Sequence, residues 1–343
     1  MAQTVCVGCI ANPMAGKDIR RLVAYGSQID NQEKVNIVRR ILLGLESARV
    51  AEVLLMPDTF RIADKALEGI HQPLQLRIHI LDMEVRGDAH DSLRAVQHMC
   101  EAGAQCLLIL GGDGTHRVVA KACGTIPLVP ISTGTNNVFP QMIEGTVAGM
   151  AAGFYARHAR QLAEVILPTK RLEIWREGAL HDIALVDVAV SAQQFVGARA
   201  LWDVAGIQEL FLTQGTPSNI GLSSIAGWSH PITMAEAAGL HLMLGNSGRH
   251  VRAPIAPGLI VPVGIRHERL IEPGERILIR HAPAMLALDG ERELLVRQGE
   301  RWEVTLSREG PKVLDVDRAL LLAQEQGFFE GNSEGSSSME PVE

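Results

Sequence analysis

The chain has 343 residues, of which 47% are hydrophobic and 21% charged, and it carries a net charge of −7. Its length suits two domains of roughly 100–200 residues, each able to bury a real core. An acidic balance with no Lys/Arg block gives no electrostatic support to binding of nucleic acid or an anionic membrane. No apolar stretch approaches the ~20 residues of a membrane helix, and the opening MAQTVCVGCIANP lacks a basic leader. The expectation is a cytoplasmic protein that handles small ligands.

Through residue 158, apolar runs at 4–10, 51–55, 76–81, 105–110 and 127–131 alternate with amphipathic stretches at 35–48, 59–70, 91–102, 116–123 and 145–157. This alternation predicts β-α-β units around a parallel sheet, with Asp58 and Asp91 placed to cap helices. From about 163 the pattern becomes strand-rich, with turn signals at Glu177-Gly178, Pro273-Gly274, Asp289-Gly290 and Gln298-Gly299, which predicts an antiparallel second domain. Apolar residues in 315–329 recur at helical spacing, and 331–343 is a Gly/Ser/Glu-rich tail of disordered composition. The expected organisation is an α/β domain over 1–158, a β-rich domain over 159–310, a helix within 311–330 and the tail. Cys6 and Cys9 have C-x-x-C spacing, but no second pair or His cluster accompanies them, and four of the five cysteines lie in apolar patterns typical of core thiols.

The strand ending at 110 runs into Gly111, Gly112, Asp113, Gly114 and Thr115, and a helical pattern follows. Strand, glycine turn and helix form a phosphate-binding arrangement, because glycine allows positive φ and close backbone approach while a helix N-terminus offers unpaired N–H groups. Asp113 repels a phosphate unless it has a job, either taking a proton from an attacking hydroxyl or helping to hold a divalent cation. His116, next in line, is either a donor to phosphate or a solvent-facing residue of the first helical turn.

Three further segments carry chemistry. Asn12-Pro13-Met14-Ala15-Gly16-Lys17 leaves the first strand but is no Walker loop, since Ala11 and Asp18 replace the required Gly and Ser/Thr. It is either an ordinary turn or one whose amides and Asn12 side chain touch phosphates. Arg117 likewise breaks the dinucleotide fingerprint, which needs glycine there. Ser132, Thr133, Gly134, Thr135, Asn136 and Asn137 follow the strand PLVPI. Their hydroxyls and amides suit a ribose, base edge or phosphate, or simply cap a loop. Asp289-Gly290-Glu291 is a hairpin signal; its functional reading requires the tip to reach Asp113 and place the Glu291 carboxylate at an interdomain cleft.

GGDGT, STGTNN and a distal DGE, in this order, resemble the superfamily of NAD kinases and diacylglycerol kinases. NPMAGKD is similar to the first phosphate loop of the lipid kinases, and segments 216–231 and 252–290 are similar to the NAD kinase carboxyl domain. GGDGTHRVVAKACG followed by ISTGTNNVFPQMIEGTVAG most resembles the acetoin-catabolism X proteins, a branch of the ATP-NAD kinase group. The resemblance implies a phosphofructokinase-like three-layer α/β domain, then a β-sandwich-like domain, with a C-terminal helix returning to the first. It implies a kinase that uses ATP and Mg²⁺ or Mn²⁺ on a small acceptor such as NAD, and a homo-oligomer. A lipid kinase and a non-catalytic nucleotide-binding regulator are the alternatives. By the same resemblance Asp113 is the essential acid, Gly111, Gly112, Gly114 and Thr115 form the phosphate loop, and Glu291 is the second acid of the lipid kinases. Asn136-Asn137 lacks the carboxylate of the NAD kinase Asn-Glu or Asn-Asp pair. Asn219 to Ser223 lacks the aromatic of the family's substrate turn.

Overall fold

The computed structural model describes residues 4–15, 25–26, 29–159, 161–192 and 204–330. Five parallel strands, β1 (Cys6–Ala11), β2 (Glu52–Leu55), β3 (Arg77–Ile80), β4 (Cys106–Gly111) and β5 (Leu128–Ser132), lie in the order β3-β2-β1-β4-β5. The short strands β6 (Ile166–Leu167) and β17 (Val313–Leu314) extend the sheet beyond β5. Successive strand side chains point to opposite faces. On β1, Val7, Cys9 and Ala11 therefore join one apolar layer while Cys6 and Ile10 join the other. The first layer packs under α1 (Asn31–Ser47), α2 (Ile62–Glu68), α5 (Gly145–His158) and α7 (Val316–Glu325). The second packs under α3 (Ala89–Glu101) and α4 (Asp113–Ala120). The result is a three-layer α/β/α domain.

The same alternation disposes of the C-x-x-C motif, because a three-residue step along a strand sends Cys6 and Cys9 to opposite faces. All five cysteines are free thiols, and burial pushes Cys6 up to about 11 and Cys9 to about 12. The expected helix caps are also corrected. Asp88, not Asp91, caps α3 by accepting from the His90 N–H, whereas Asp91 sits at the third helical position and reaches back to the N–H groups of Arg86 and Gly87. Asp58 accepts from the Phe60 and Ile62 N–H groups, but Arg61 holds the position before α2, with φ of 60°. An aspartate near a helix start serves as cap or as backward clasp, and spacing alone does not separate the two.

The second unit is antiparallel. Strands β7 (Arg171–Arg176), β8 (Ala179–Ala184), β13 (Arg276–Leu278) and β16 (Trp302–Ser307) form a sheet in the order β13-β16-β7-β8. Strands β9 (Asp187–Ser191), β10 (Ile207–Leu212), β11 (Gly239–Ala256), β12 (Leu259–Ile271), β14 (Ala284–Leu288) and β15 (Glu291–Val296) form another, ordered β12-β11-β10-β9-β14-β15. Val190, Phe211 and Leu286 from the larger sheet pack with Ile174, Trp302 and Val304 from the smaller, and α6 (Ser223–Ser229) covers the larger sheet's other face. This is a β-sandwich. Asp289 and Gly290 have φ of 51° and 81°, the paired positive values of a two-residue hairpin turn. No described helix is long and apolar enough to cross a membrane.

Candidate active site at the strand switch point

After β1 the chain enters α1 on one face of the sheet, and after β4 it enters α4 on the other. Loops that diverge in this way open a crevice at the carboxyl edge of an α/β sheet. Three expected motifs meet there. The Asn12 side-chain amide donates to Thr115 Oγ1 at 2.9 Å, and the Thr133 N–H donates to the Gly111 carbonyl at 3.3 Å.

The glycines are required for a reason other than the expected one. None of Gly111, Gly112 and Gly114 has positive φ; Gly112 has φ of −97° and ψ of −174°, open to any residue. Close contact is the constraint instead. A Cβ on Gly111 would lie 2.5 Å from Thr115 Cβ, one on Gly112 2.8 Å from Asn137 Oδ1, and one on Gly114 3.2 Å from Glu291 Oε1. Each glycine is thus the seat of a different part of the site, and the last seats a residue from the second domain.

Asp113 is the first residue of α4, and it is buried. Its Oδ1 accepts from the Phe139 N–H at 2.8 Å, and the Val138 N–H is shared between both oxygens at 3.1 Å. The carboxylate therefore clasps the end of the STGTNN loop. That loop also closes on itself, with Asn137 Nδ2 donating to Ser132 Oγ at 2.8 Å and to the Gly134 carbonyl at 3.2 Å. Thr133 Oγ1 and Asn136 Oδ1 are buried without a hydrogen-bond partner among the described residues, the kind of open valence that a ligand or water satisfies. Thr135 lies beside Gly26.

In the first loop, Asn12 N–H donates to the Leu110 carbonyl, Met14 N–H to Asn12 Oδ1 and Ala15 N–H to the Asn12 carbonyl, while Pro13 has no N–H. The amides of residues 12–15 are engaged within the protein; Gly16 and Lys17 lie outside the described residues. Lys34, which motif reasoning passes over, organises this loop. It is fully buried in α1, and its ammonium donates to the carbonyls of Asn12 and Ala15 at 2.9 and 2.8 Å and to Asn31 Oδ1 at 3.0 Å. The available signal was a lysine within the apolar stripe of an amphipathic helix, a place where a charge persists only with partners.

His116 fits neither expectation. It is fully buried, its Nδ1 lies 2.8 Å from the Gly112 carbonyl, and its ring packs against Phe139. Burial lowers its pKa to about 4, outweighing the backbone contacts that raise it. The neutral imidazole donates from Nδ1 and braces the glycine turn from beneath.

The second domain reaches this turn through the Asp289-Gly290 hairpin. Asp289 is fully enclosed, accepts from the N–H groups of Leu185, Val186 and Asp187, and lies 3.5 Å from Arg117 Nε. Burial raises its pKa to about 6 against the opposing pull of Arg117 and those N–H groups. Arg117 also approaches Asp182 at 3.6 Å, and Lys121 pairs with Asp182 at 2.6 Å. The residue that breaks the dinucleotide fingerprint is thus a strut between α4 and the sandwich. Two residues beyond Asp289, the exposed Glu291 brings its carboxylate against Gly114.

Residues 7–159 match the ATP-NAD kinase N-terminal domain, and residues 170–309 match the C-terminal domain of acetoin catabolism protein X. The chain is 38% identical to the acetoin catabolism protein X of Cupriavidus necator, over 90% of each chain. The chain belongs to the acetoin catabolism protein X family. It also resembles a crystal structure of yeast NADH kinase complexed with NADH, at 15% identity and a TM-score of 0.47 over 96% of this chain and 90% of that one. Within the family's two-domain frame, the glycine turn lies in the kinase-type half, and the hairpin bearing Glu291 lies in the half particular to protein X.

Proposed function

We propose that this chain is an ATP-dependent phosphotransferase of the NAD kinase type, which places a phosphoryl group on a hydroxyl of a small acceptor, with NAD the acceptor its kinase-type half suggests. The observation that carries this reading is the approach of Glu291 to Gly114, which joins a carboxylate of one domain to the phosphate-type turn of the other. The first turn of α4 leaves N–H groups outside the helical ladder and a partial positive charge suited to phosphate. Asp113 is tied to Val138 and Phe139, so it shapes the cradle, while Glu291 at the exposed rim takes the proton from the acceptor hydroxyl as the new P–O bond forms and ADP leaves.

A divalent cation fits this donor set. Mg²⁺ and Mn²⁺ prefer oxygen ligands, and a cation held by one or two carboxylates together with substrate phosphates suits a site whose acidic oxygens are those of Asp113 and Glu291. Asp113 Oδ2, which shares the Val138 N–H, would hold it together with the nucleotide phosphates while Glu291 keeps the base role, and when bound it supplies charge neutralisation on the transferred group.

Incubation with ATP, Mg²⁺ and NAD, read by mass spectrometry, should add one phosphoryl group to NAD. Glu291→Gln should slow transfer by ~10²–10⁴, the usual contribution of a positioned base, while keeping nucleotide affinity. Transfer to diacylglycerol vesicles but not to NAD would redirect the assignment to a lipid kinase. Tight nucleotide binding with no transfer to any acceptor would make the protein a nucleotide-binding regulator.

A further inference from the structure

The chain has only two tyrosines, and Tyr25 is 91% exposed. Its backbone is nevertheless held. The Tyr25 N–H donates to the Pro257 carbonyl at 3.0 Å, at the tip joining β11 to β12, and one edge of the ring rests on Gly258. Gly258 has φ of +78°, and a Cβ there would come within 2.7 Å of Tyr25 Cδ2, so both conformation and contact call for glycine. On the other side, a Cβ on Gly26 would meet Thr135 Oγ1 at 3.6 Å, and the Ile29 N–H donates to the Thr133 carbonyl at 3.2 Å. The long ribbon of the second domain thus pins Tyr25, whose neighbour Gly26 lies beside Thr135 of the polar STGT loop, and leaves nearly all of the ring surface open.

We propose that Tyr25 is the stacking platform for the adenine of a bound nucleotide. This inference rests on the nucleotide reading above and adds to it the residue that receives the base. Among the described residues only Gly258 is seen against the ring, whereas a planar base gains from lying on any aromatic face with little sequence or edge preference. Adenine is common to ATP and NAD, so one platform serves either nucleotide. It also supplies the aromatic surface that the Asn219–Ser223 turn lacks.

The test is calorimetric titration of the full chain, in Mg²⁺, with ATP, NAD and inorganic tripolyphosphate, which carries the charge without the base. Tyr25→Ala should weaken the adenine nucleotides about tenfold and leave tripolyphosphate affinity and thermal stability unchanged, and Tyr25→Phe should restore nucleotide affinity. Undiminished nucleotide affinity in Tyr25→Ala overturns the platform while leaving the kinase reading intact. Equal weakening of nucleotides and tripolyphosphate also overturns it, by showing a general disturbance of the loops. A wild-type chain that binds none of the three probes overturns the nucleotide reading and the platform together.

Discussion

The glycine turn before α4 and the hairpin between β14 and β15 are built alike and end differently. In each, an aspartate is buried and engaged with neighbouring main-chain N–H groups: Asp113 holds Val138 and Phe139, and Asp289 holds Leu185, Val186 and Asp187. At the glycine turn the aspartate is itself the conspicuous acid of the motif. At the hairpin it is the anchor that places a second, exposed acid, Glu291, against the turn. Two carboxylates of one motif set thus differ in hydrogen-bond partners and exposure, a difference that sequence does not display.

Three variants press on this comparison. The largest effect is expected at the strut between the two regions. Arg117→Met leaves the enclosed Asp289 without its cation and should cost about 3–5 kcal/mol in denaturant unfolding. Adding Asp289→Asn should recover much of that loss, and a double variant no better than the single one would show that the pair does not couple.

The next effect is a pH slope. The folded-state pKa of Asp289 is raised to about 6, above the ordinary value near ~3.9. Between those values the folded state holds a proton that the unfolded state has released. This contribution to stability is complete at low pH and is lost as pH rises from about 4 to about 6, by up to about 3 kcal/mol. Asp289→Asn should remove that part of the slope when unfolding is measured across this range, and superimposable profiles would remove Asp289 from the account.

Smallest is Asp113→Asn. An amide offers one acceptor oxygen where the carboxylate offers two, so the variant should lose about 1–3 kcal/mol of stability. A variant of native stability whose turnover falls as far as that of Glu291→Gln would instead make Asp113 the reacting acid, as the motif alone suggests.

Much of the architecture was legible in the residues. The change from helical to alternating periodicity matches the passage from the parallel sheet to the sandwich, although β6 at 166–167 still joins the first sheet, and Asp289-Gly290 specifies a two-residue turn through its tolerance of positive φ. The site was legible in its parts: GGDGT and STGTNN follow β4 and β5, and adjacent parallel strands bring their carboxyl ends together. The roles were less so. His116 read as a surface or ligand residue and is buried, and Lys34 carried no motif yet holds the first loop.

Local sequence determined the elements, the turns and the family motifs, because periodicity, propensity and glycine tolerance act within a few residues. The tertiary structure decided which glycines are crowded and by what, which aspartate anchors, that Glu291 reaches the glycine turn, and that Tyr25 is held against the β11–β12 tip. Those outcomes depend on contacts between residues such as Gly114 and Glu291, or Tyr25 and Pro257, which are far apart along the chain. Only the packing of one domain on the other fixes such distances, and neither partner carries a local signal of them.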